Sequence, residues 1–210
     1  MGCFEVTTRT LTYSNKKATY NILDDLNIEL EIKENPYNIP LDQLFDMAAR
    51  INKKRSFLFV SKVLGKHIPI QPEKGILIGY LLAGRYMEKV KNEAFLEQSE
   101  LLEWLIRSSP AVDLNPIVPN SYHPIIIGFA ETATALGHAF FEAFSDADYF
   151  HSTREMLRDV PPVIAFEEEH SHATSHRAYI DEALLNNSRE IILVDDEVTT
   201  GKTALNIIRS

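Results

Sequence analysis

The segment that most constrains the fold of this chain lies at residues 191–203. Its first four residues, Ile191-Ile192-Leu193-Val194, form an apolar run that predicts a short buried strand. Two carboxylates and a turn rich in threonine follow, and the apolar spacing from Lys202 to Ile208 then predicts a helix. A strand, a tight turn and a helix in immediate succession are typical of α/β domains.

The turn between the strand and the helix has the composition of an anion site. Gly201 allows the backbone to turn tightly, and the start of the helix directs unpaired N–H groups and the positive end of its dipole into the loop. Threonine hydroxyls add further donors. We therefore expect one phosphate monoester to bind here. The residues predicted to bind it are Thr199, Thr200, Gly201, Lys202 and Thr203.

Asp195 and Asp196, which directly follow the strand, need a different partner. Their carboxylates would repel a phosphate, but they accept hydrogen bonds well from the vicinal hydroxyls of a sugar. A ligand that carries hydroxyls at one end and a phosphate at the other satisfies both halves of the segment. Ribose 5-phosphate has this arrangement.

Parts of the segment also fit two other interpretations. The sequence Gly201-Lys202-Thr203 matches the end of a nucleoside-triphosphate P-loop, but that motif requires glycine five residues before Gly201, where Asp196 stands. Negative charge at that position argues against a P-loop. The segment could also be an ordinary strand–loop–helix connection with capping threonines, and this alternative stays open.

The rest of the chain predicts an N-terminal α+β part at residues 1–115 and an α/β core at 116–210. Short apolar runs alternate with helical stretches after Pro124, which favours a mostly parallel central sheet flanked by helices. Ligands of such sheets bind beyond the carboxyl ends of the strands, where the segments 128–135 and 195–203 should meet. The predicted strands are 4–13, 56–63, 125–128, 147–151, 163–166 and 191–194, and the predicted helices are 41–51, 73–91, 94–106, 133–144, 178–185 and 202–208.

Residues 191–203 resemble the phosphoribosyl pyrophosphate (PRPP) loop of type I phosphoribosyltransferases. Four apolar residues, two acids, and then small residues with glycine carry the resemblance, although Glu197 stands where the family usually has an aliphatic residue. The resemblance implies that Asp195 and Asp196 are the catalytic residues that contact the ribose hydroxyls. It also implies that residues 199–203 bind the 5-phosphate.

Residues 125–137 look like the family's pyrophosphate loop, with Glu131, Thr132, Ala133 and Thr134 as candidate ligands. Glu131 either meets the pyrophosphate through Mg²⁺ or caps the helix. Arg154 is either a pyrophosphate ligand or a surface residue. Together with the segments 149–154 and 167–174, this loop resembles the orotate-phosphoribosyltransferase-like branch encoded with tellurite-resistance and stress-response genes, over most of residues 56–210.

The run 167–176 would correspond to the mobile loop that closes over PRPP, with Glu169, His170 and His172 as candidate contacts. With His176 added, the histidines could instead bind zinc, and a solvated loop is the third alternative. The basic turn that contains Lys62, Lys66 and His67 either meets an anionic acceptor or is plain surface. In this family the N-terminal part forms a hood that recognises the base.

The resemblance implies Mg²⁺ as the cofactor, carried by PRPP rather than by a firm protein site, with PRPP and an unknown base as partners. The net charge of −9 argues against nucleic-acid binding. The sequence contains no stretch of 18 apolar residues, which argues against a transmembrane helix. A single cysteine, Cys3, and the absence of an apolar run in residues 1–11 favour a cytoplasmic protein.

The family core normally continues with at least another strand and helix beyond the PRPP loop, whereas this sequence stops at Ser210. We therefore expect a core that is incomplete at its C-terminus, and either a homodimer or a polypeptide that supplies the missing elements. Two functions follow. The chain is either an active transferase that releases pyrophosphate, or a non-catalytic PRPP- or nucleotide-sensing module or inactive truncated fragment.

Overall fold

The computed structural model of the chain describes residues 10–14, 16–23, 25–52, 55–107, 114–167, 175–198 and 200–209. The chain divides into two compact units, residues 1–69 and residues 70–210. None of the helices within these described ranges has the length and hydrophobicity that a membrane crossing requires.

The described residues of the first unit form two small antiparallel sheets and one short helix. Strands β1 (Thr10–Ser14), β2 (Lys17–Leu23) and β3 (Leu26–Glu31) form one sheet in the order β1-β2-β3. The short helix α1 (Leu41–Leu44) leads into the second sheet, formed by β4 (Phe45–Ala49) and β5 (Phe57–Ser61). Alternate residues of β2 are buried because one face of the sheet covers the core. This core contains Ala18, Tyr20, Ile22 and Met47.

The predicted helix at residues 41–51 is wrong beyond its first turn. Residues Phe45–Ala49 instead form β4, which pairs with β5. Met47 is fully buried, and the ring of Phe45 meets the ring of Phe59 on β5 edge-on at 5.1 Å. Cross-strand aromatic packing of this kind stabilises a sheet, and it overrides a helical spacing that the segment satisfies only locally. The segment 21–32, which is ambiguous from its sequence, belongs to β2 and β3.

The second unit alternates helices and strands. It begins with α2 (Pro72–Tyr86), whose last turn continues as a π-helix (Met87–Lys91), and α3 (Gln98–Arg107). Next come β6 (Ile125–Gly128), α4 (Ala133–Phe141) and β7 (Asp148–His151). They are followed by β8 (Ile164–Glu167), β9 (Ser175–Ala178), a 3₁₀ turn (Glu182–Leu184), β10 (Ile191–Val194) and α5 (Lys202–Arg209).

Strands β10, β6 and β7 form a parallel sheet in that order, with β6 in the middle. All four residues of β6 are buried, as its unbroken apolar run predicts for a parallel strand covered on both faces. Ile125 and Ile127 pack with Phe166 of β8 and Ile207 of α5 in one core. A mixed α/β unit with a parallel sheet is therefore confirmed.

Strands β8 and β9 form an antiparallel hairpin that is separate from the parallel sheet. The predicted helix at 178–185 is wrong, because Ala178 ends β9 opposite Ile164 and only the 3₁₀ turn at 182–184 is helical. The Asp181 side chain accepts a hydrogen bond from the Ala183 N–H at 2.9 Å, which starts and limits this turn.

Helix α2 belongs to the second unit because it packs closely on α4. A Cβ atom at Gly79 would lie 2.4 Å from the backbone carbonyl carbon of Ala139. The boundary between the two compact units falls between residues 69 and 70, whereas the sequence predicts a boundary between 115 and 116. That residues 1–115 act as a hood for the base stays a prediction.

Side chains at the N-terminal end of β10 tie that strand to the end of α2. The Tyr86 hydroxyl donates to Glu190 at 2.5 Å, and Lys91 Nζ donates to the same carboxylate at 2.6 Å. Burial and the hydrogen bond to Glu190 raise the pKa of Tyr86 to about 12. This cluster stabilises the end of the sheet opposite the predicted ligand site.

Candidate functional site

Three loops lie side by side at the carboxyl end of the parallel sheet. The strand register aligns Val194, Gly128 and His151, the last residues of β10, β6 and β7. The Phe129 N–H donates to the Val194 carbonyl at 3.2 Å, and the Ser152 N–H donates to the Gly128 carbonyl at 3.0 Å. The chain leaves β6 towards β7 on one side and returns to β10 on the other. The boundary between β6 and β10 is therefore a topological switch point, where ligands of such sheets bind.

The β10–α5 loop places the two aspartates directly above this boundary. Both are half-buried, and the Asp195 carboxylate accepts a hydrogen bond from the Asp196 N–H at 2.9 Å. Gly201 has φ 71°, a left-handed conformation that favours glycine. The Thr200 hydroxyl accepts from the Lys202 N–H at 3.4 Å, at the first turn of α5. Thr199 lies outside the described residues, and Thr203 lies within the first turn of α5.

The β6–α4 loop brings a second helix N-terminus to the same end of the sheet. The peptide bond between Ala130 and Glu131 is cis. The Thr134 hydroxyl donates to the Glu131 carbonyl at 2.7 Å, and α4 begins at Ala133 without a side-chain cap at Thr132. Glu131 itself is exposed. In the described part of this loop, no hydrogen bond from the Glu131 side chain caps α4.

Tyr149 on β7 holds the start of α4 close to β6. Its hydroxyl donates to the Thr134 carbonyl at 2.6 Å, and burial raises the pKa of Tyr149 to about 12. A Cβ atom at Gly128 would lie 2.7 Å from the Tyr149 hydroxyl and 3.0 Å from the Ala133 carbonyl oxygen. The close approach of β6, α4 and Tyr149 therefore requires glycine at position 128.

We expect Gly128→Ala to lower the free energy of unfolding by about 2 kcal/mol, because the new methyl group displaces the Tyr149 hydroxyl and its hydrogen bond. The double variant Gly128→Ala/Tyr149→Phe should lose less free energy of unfolding than the two single variants lose in sum. Tyr149→Phe removes the oxygen with which the new methyl group clashes. Urea unfolding of the four proteins measures this coupling. Strictly additive costs would contradict the packing described for Gly128.

Arg154, which the sequence predicts as a pyrophosphate ligand or a surface residue, lies beside the β6–α4 loop. Its Nη2 atom is 3.5 Å from the Ala130 carbonyl oxygen. The backbone of the preceding residue, Thr153, pairs with Arg177 through two hydrogen bonds of 2.7 and 2.8 Å. Arg177 also donates from Nη1 to the Arg154 carbonyl at 3.1 Å. Arg177 is thus a second cation beside Arg154, and the sequence does not predict this position because it depends on strand pairing.

The structure changes the interpretation of residues 167–176. Glu167 and the segment 175–176 belong to strands, so the predicted loop is shorter than expected, and Glu169, His170 and His172 lie outside the described residues. His176 is buried and its Nδ1 atom lies 2.9 Å from the Ser152 hydroxyl. Within the part of the chain that is described, no three His, Cys, Asp or Glu side chains gather as a metal site.

A cavity of about 940 Å³ lies between β10, α5 and the 3₁₀ turn, with Leu193 and Ile207 in its wall, and none of the predicted site residues lines it. In the first unit, Lys62 Nζ donates to the Asp42 carbonyl at 2.8 Å. That Lys62, Lys66 or His67 meets an acceptor stays a prediction.

Comparison with known proteins assigns the chain to a family. A family model described as phosphoribosyl transferase matches residues 44–210. The chain belongs to the phosphoribosyl transferase family. The matched range contains all three loops at the carboxyl end of the sheet. Neither the curated proteins nor the solved structures give a significant match.

Proposed function

We propose that this chain binds PRPP with Mg²⁺ and transfers the 5-phosphoribosyl group to a ring nitrogen of a base, with release of pyrophosphate. One observation carries the proposal. Two half-buried carboxylates, Asp195 and Asp196, lie at the switch point of the sheet beside the N-termini of two helices. The carboxylates suit sugar hydroxyls, and the helix N-termini suit phosphate groups at either end of the same ligand.

In the proposed complex, PRPP extends across the boundary between β6 and β10. The 5-phosphate binds at the start of α5, where the left-handed Gly201 turns the backbone and the Thr200 hydroxyl lies beside Lys202. The ribose hydroxyls donate to Asp195 and Asp196. The pyrophosphate binds at the start of α4, within residues 131–134, with Arg154 beside this loop.

The residues at this end of the sheet suit a magnesium ion carried by the substrate. Mg²⁺ in substrate complexes is usually held by one or two carboxylates together with substrate phosphates and water. Glu131, Asp195 and Asp196 offer carboxylate oxygens, and Glu131 is exposed beside the proposed pyrophosphate position. When bound, the ion would neutralise charge on the departing pyrophosphate.

The proposed reaction forms one bond and breaks another at the C1 carbon of the ribose. The base nitrogen attacks C1, the bond from C1 to the pyrophosphate oxygen breaks, and its electron pair leaves with the pyrophosphate. The nitrogen then loses its proton. The protein contributes mainly by holding both reactants in place and by stabilising charge. The carboxylates of Asp195 and Asp196 orient the ribose and favour the positive charge that develops on its ring.

Pyrophosphate release from PRPP in the presence of Mg²⁺ tests this function, with a panel of bases as acceptors. Pyrimidine-like bases come first, because of the resemblance to the orotate-phosphoribosyltransferase-like branch. We expect one base to give turnover that stops on chelation of the metal, and calorimetry to detect PRPP binding without any base. Failure to bind PRPP at all would refute the proposal.

A second function is a PRPP-sensing module without turnover. A sensing module would bind PRPP but release pyrophosphate with no base of the panel, whereas the transferase would do both.

A further inference from the structure

A buried serine and a buried histidine connect the β8–β9 hairpin to the β6–α4 loop. The Ser152 hydroxyl lies 2.9 Å from His176 Nδ1 and accepts a hydrogen bond from the Ala130 N–H at 2.9 Å. Both side chains are only 1% exposed. Since the Ser152 N–H also donates to the Gly128 carbonyl, Ser152 binds both the last residue of β6 and Ala130 in the loop that follows.

The hydroxyl of Ser152 has two fixed partners on opposite elements. Because it accepts from the Ala130 amide, its own proton is available to His176 Nδ1 when that nitrogen is unprotonated; in the other tautomer His176 donates instead. Both arrangements hold the oxygen in one place. In a buried setting such a hydrogen bond is strong and a lost partner is costly.

Packing fixes the orientation of the His176 ring. The ring stacks on Phe166 with centroids 4.8 Å apart and planes at 3°, and it meets the ring of Phe129 edge-on at 6.4 Å. The next residue on β9, Arg177, pairs through its backbone with Thr153. The histidine therefore cannot turn away from Ser152 without breaking both ring contacts.

We infer that Ser152 and His176 are positioning residues for the loop that binds the pyrophosphate, an inference that rests on the proposed function. The Ala130 N–H already donates to the Ser152 hydroxyl. An anion in this loop must therefore be bound by the N–H groups that follow at the start of α4. The direction of those groups depends on how Ala130 is held. Fixing Ala130 before the ligand arrives reduces the ordering cost of binding.

Amide exchange in the ligand-free protein tests the first part of this inference without using PRPP. We expect Ser152→Ala to speed exchange of the Ala130 N–H by about fivefold, because it removes the acceptor. The Ile125 N–H, which donates to the Glu190 carbonyl at 2.8 Å, reports on general loosening of the sheet. Equal exchange of Ala130 in the variant and the wild type would overturn the inference.

Two replacements of His176 separate positioning from packing. His176→Phe keeps a ring to stack on Phe166 but removes Nδ1, whereas His176→Asn keeps a polar atom near Nδ1 but removes the ring. We expect PRPP affinity to fall about tenfold in the Phe variant and by less than about threefold in the Asn variant. The stability of the two variants should follow the opposite order.

If the more stable of these two variants also binds PRPP more tightly, the inference that His176 positions the loop is contradicted. Failure of the proposed function has a different signature. If the wild-type protein does not bind PRPP, the function is wrong, and the exchange rate of the Ala130 amide still decides whether Ser152 holds this loop.

Discussion

Replacing Asp195 and Asp196 together by asparagine is expected to weaken PRPP binding by about 100-fold. A hydrogen bond to a charged acceptor is stronger than one to a neutral acceptor by about 1 kcal/mol or more. The double replacement leaves both carboxylate acceptors neutral, so this difference is lost at two positions. The direction of the effect is informative, because removing negative charge near an anionic ligand should otherwise strengthen binding. Calorimetry with PRPP and Mg²⁺ gives the affinity of each protein.

The local turn should survive this double replacement. The carboxylate of Asp195 accepts from the Asp196 N–H at 2.9 Å, and the amide oxygen of asparagine can accept the same bond. Glu197→Gln is the matched control, since it removes a charge from an exposed side chain of the same loop. We expect less than about a threefold change for this control. Unchanged PRPP affinity in the double variant would remove Asp195 and Asp196 from the site.

The elements around the switch point could be predicted because their signals are local. The apolar runs 125–128 and 191–194 have the composition of buried parallel strands, and each is followed by a short loop and a helix. Gly201 adopts the left-handed conformation that its place in a tight turn requires. In the structure β10 pairs with β6 in parallel, so the two loops lie at the same edge of the sheet, as expected for the carboxyl ends of parallel strands.

Elements that depend on distant partners could not be predicted from the sequence. The spacing of residues 41–51 fits a helix, but Phe45 and Met47 are strand residues because β5 pairs with them. Residues 175–176 look like part of a polar loop, yet they pair with β8. Strand formation reflects the neighbours of a segment more than its own composition.

The contact between Ser152 and His176 shows the same limit within the site. The two residues are 24 positions apart, and nothing in the segment 149–154 or the run 167–176 indicates that their side chains meet. From the sequence, His176 is a candidate only for a zinc site, together with two other histidines. Its burial beside Phe166 and its hydrogen bond to Ser152 depend on how the hairpin packs against the sheet. Only the folded arrangement provides that information.

Gly79→Ala is expected to lower the free energy of unfolding by about 3 kcal/mol. The added Cβ would lie 2.4 Å from the Ala139 carbonyl carbon and 2.5 Å from its Cβ. Because the obstacle includes backbone, no side-chain rotation relieves it, and α2 and α4 must move apart. This cost outweighs the gain of about 1 kcal/mol that alanine brings to a helix interior. Urea unfolding measures the difference.

Gly75→Ala is the matched control, because Gly75 lies one turn earlier in α2 and is half-buried. It carries the same gain in helix propensity, so the difference between the two variants isolates the contact with α4. Equal stability of the two variants would contradict the close packing of α2 on α4. Since α4 begins at the loop proposed to bind pyrophosphate, Gly79→Ala should also weaken PRPP binding, whereas Gly75→Ala should leave it within about twofold of wild type.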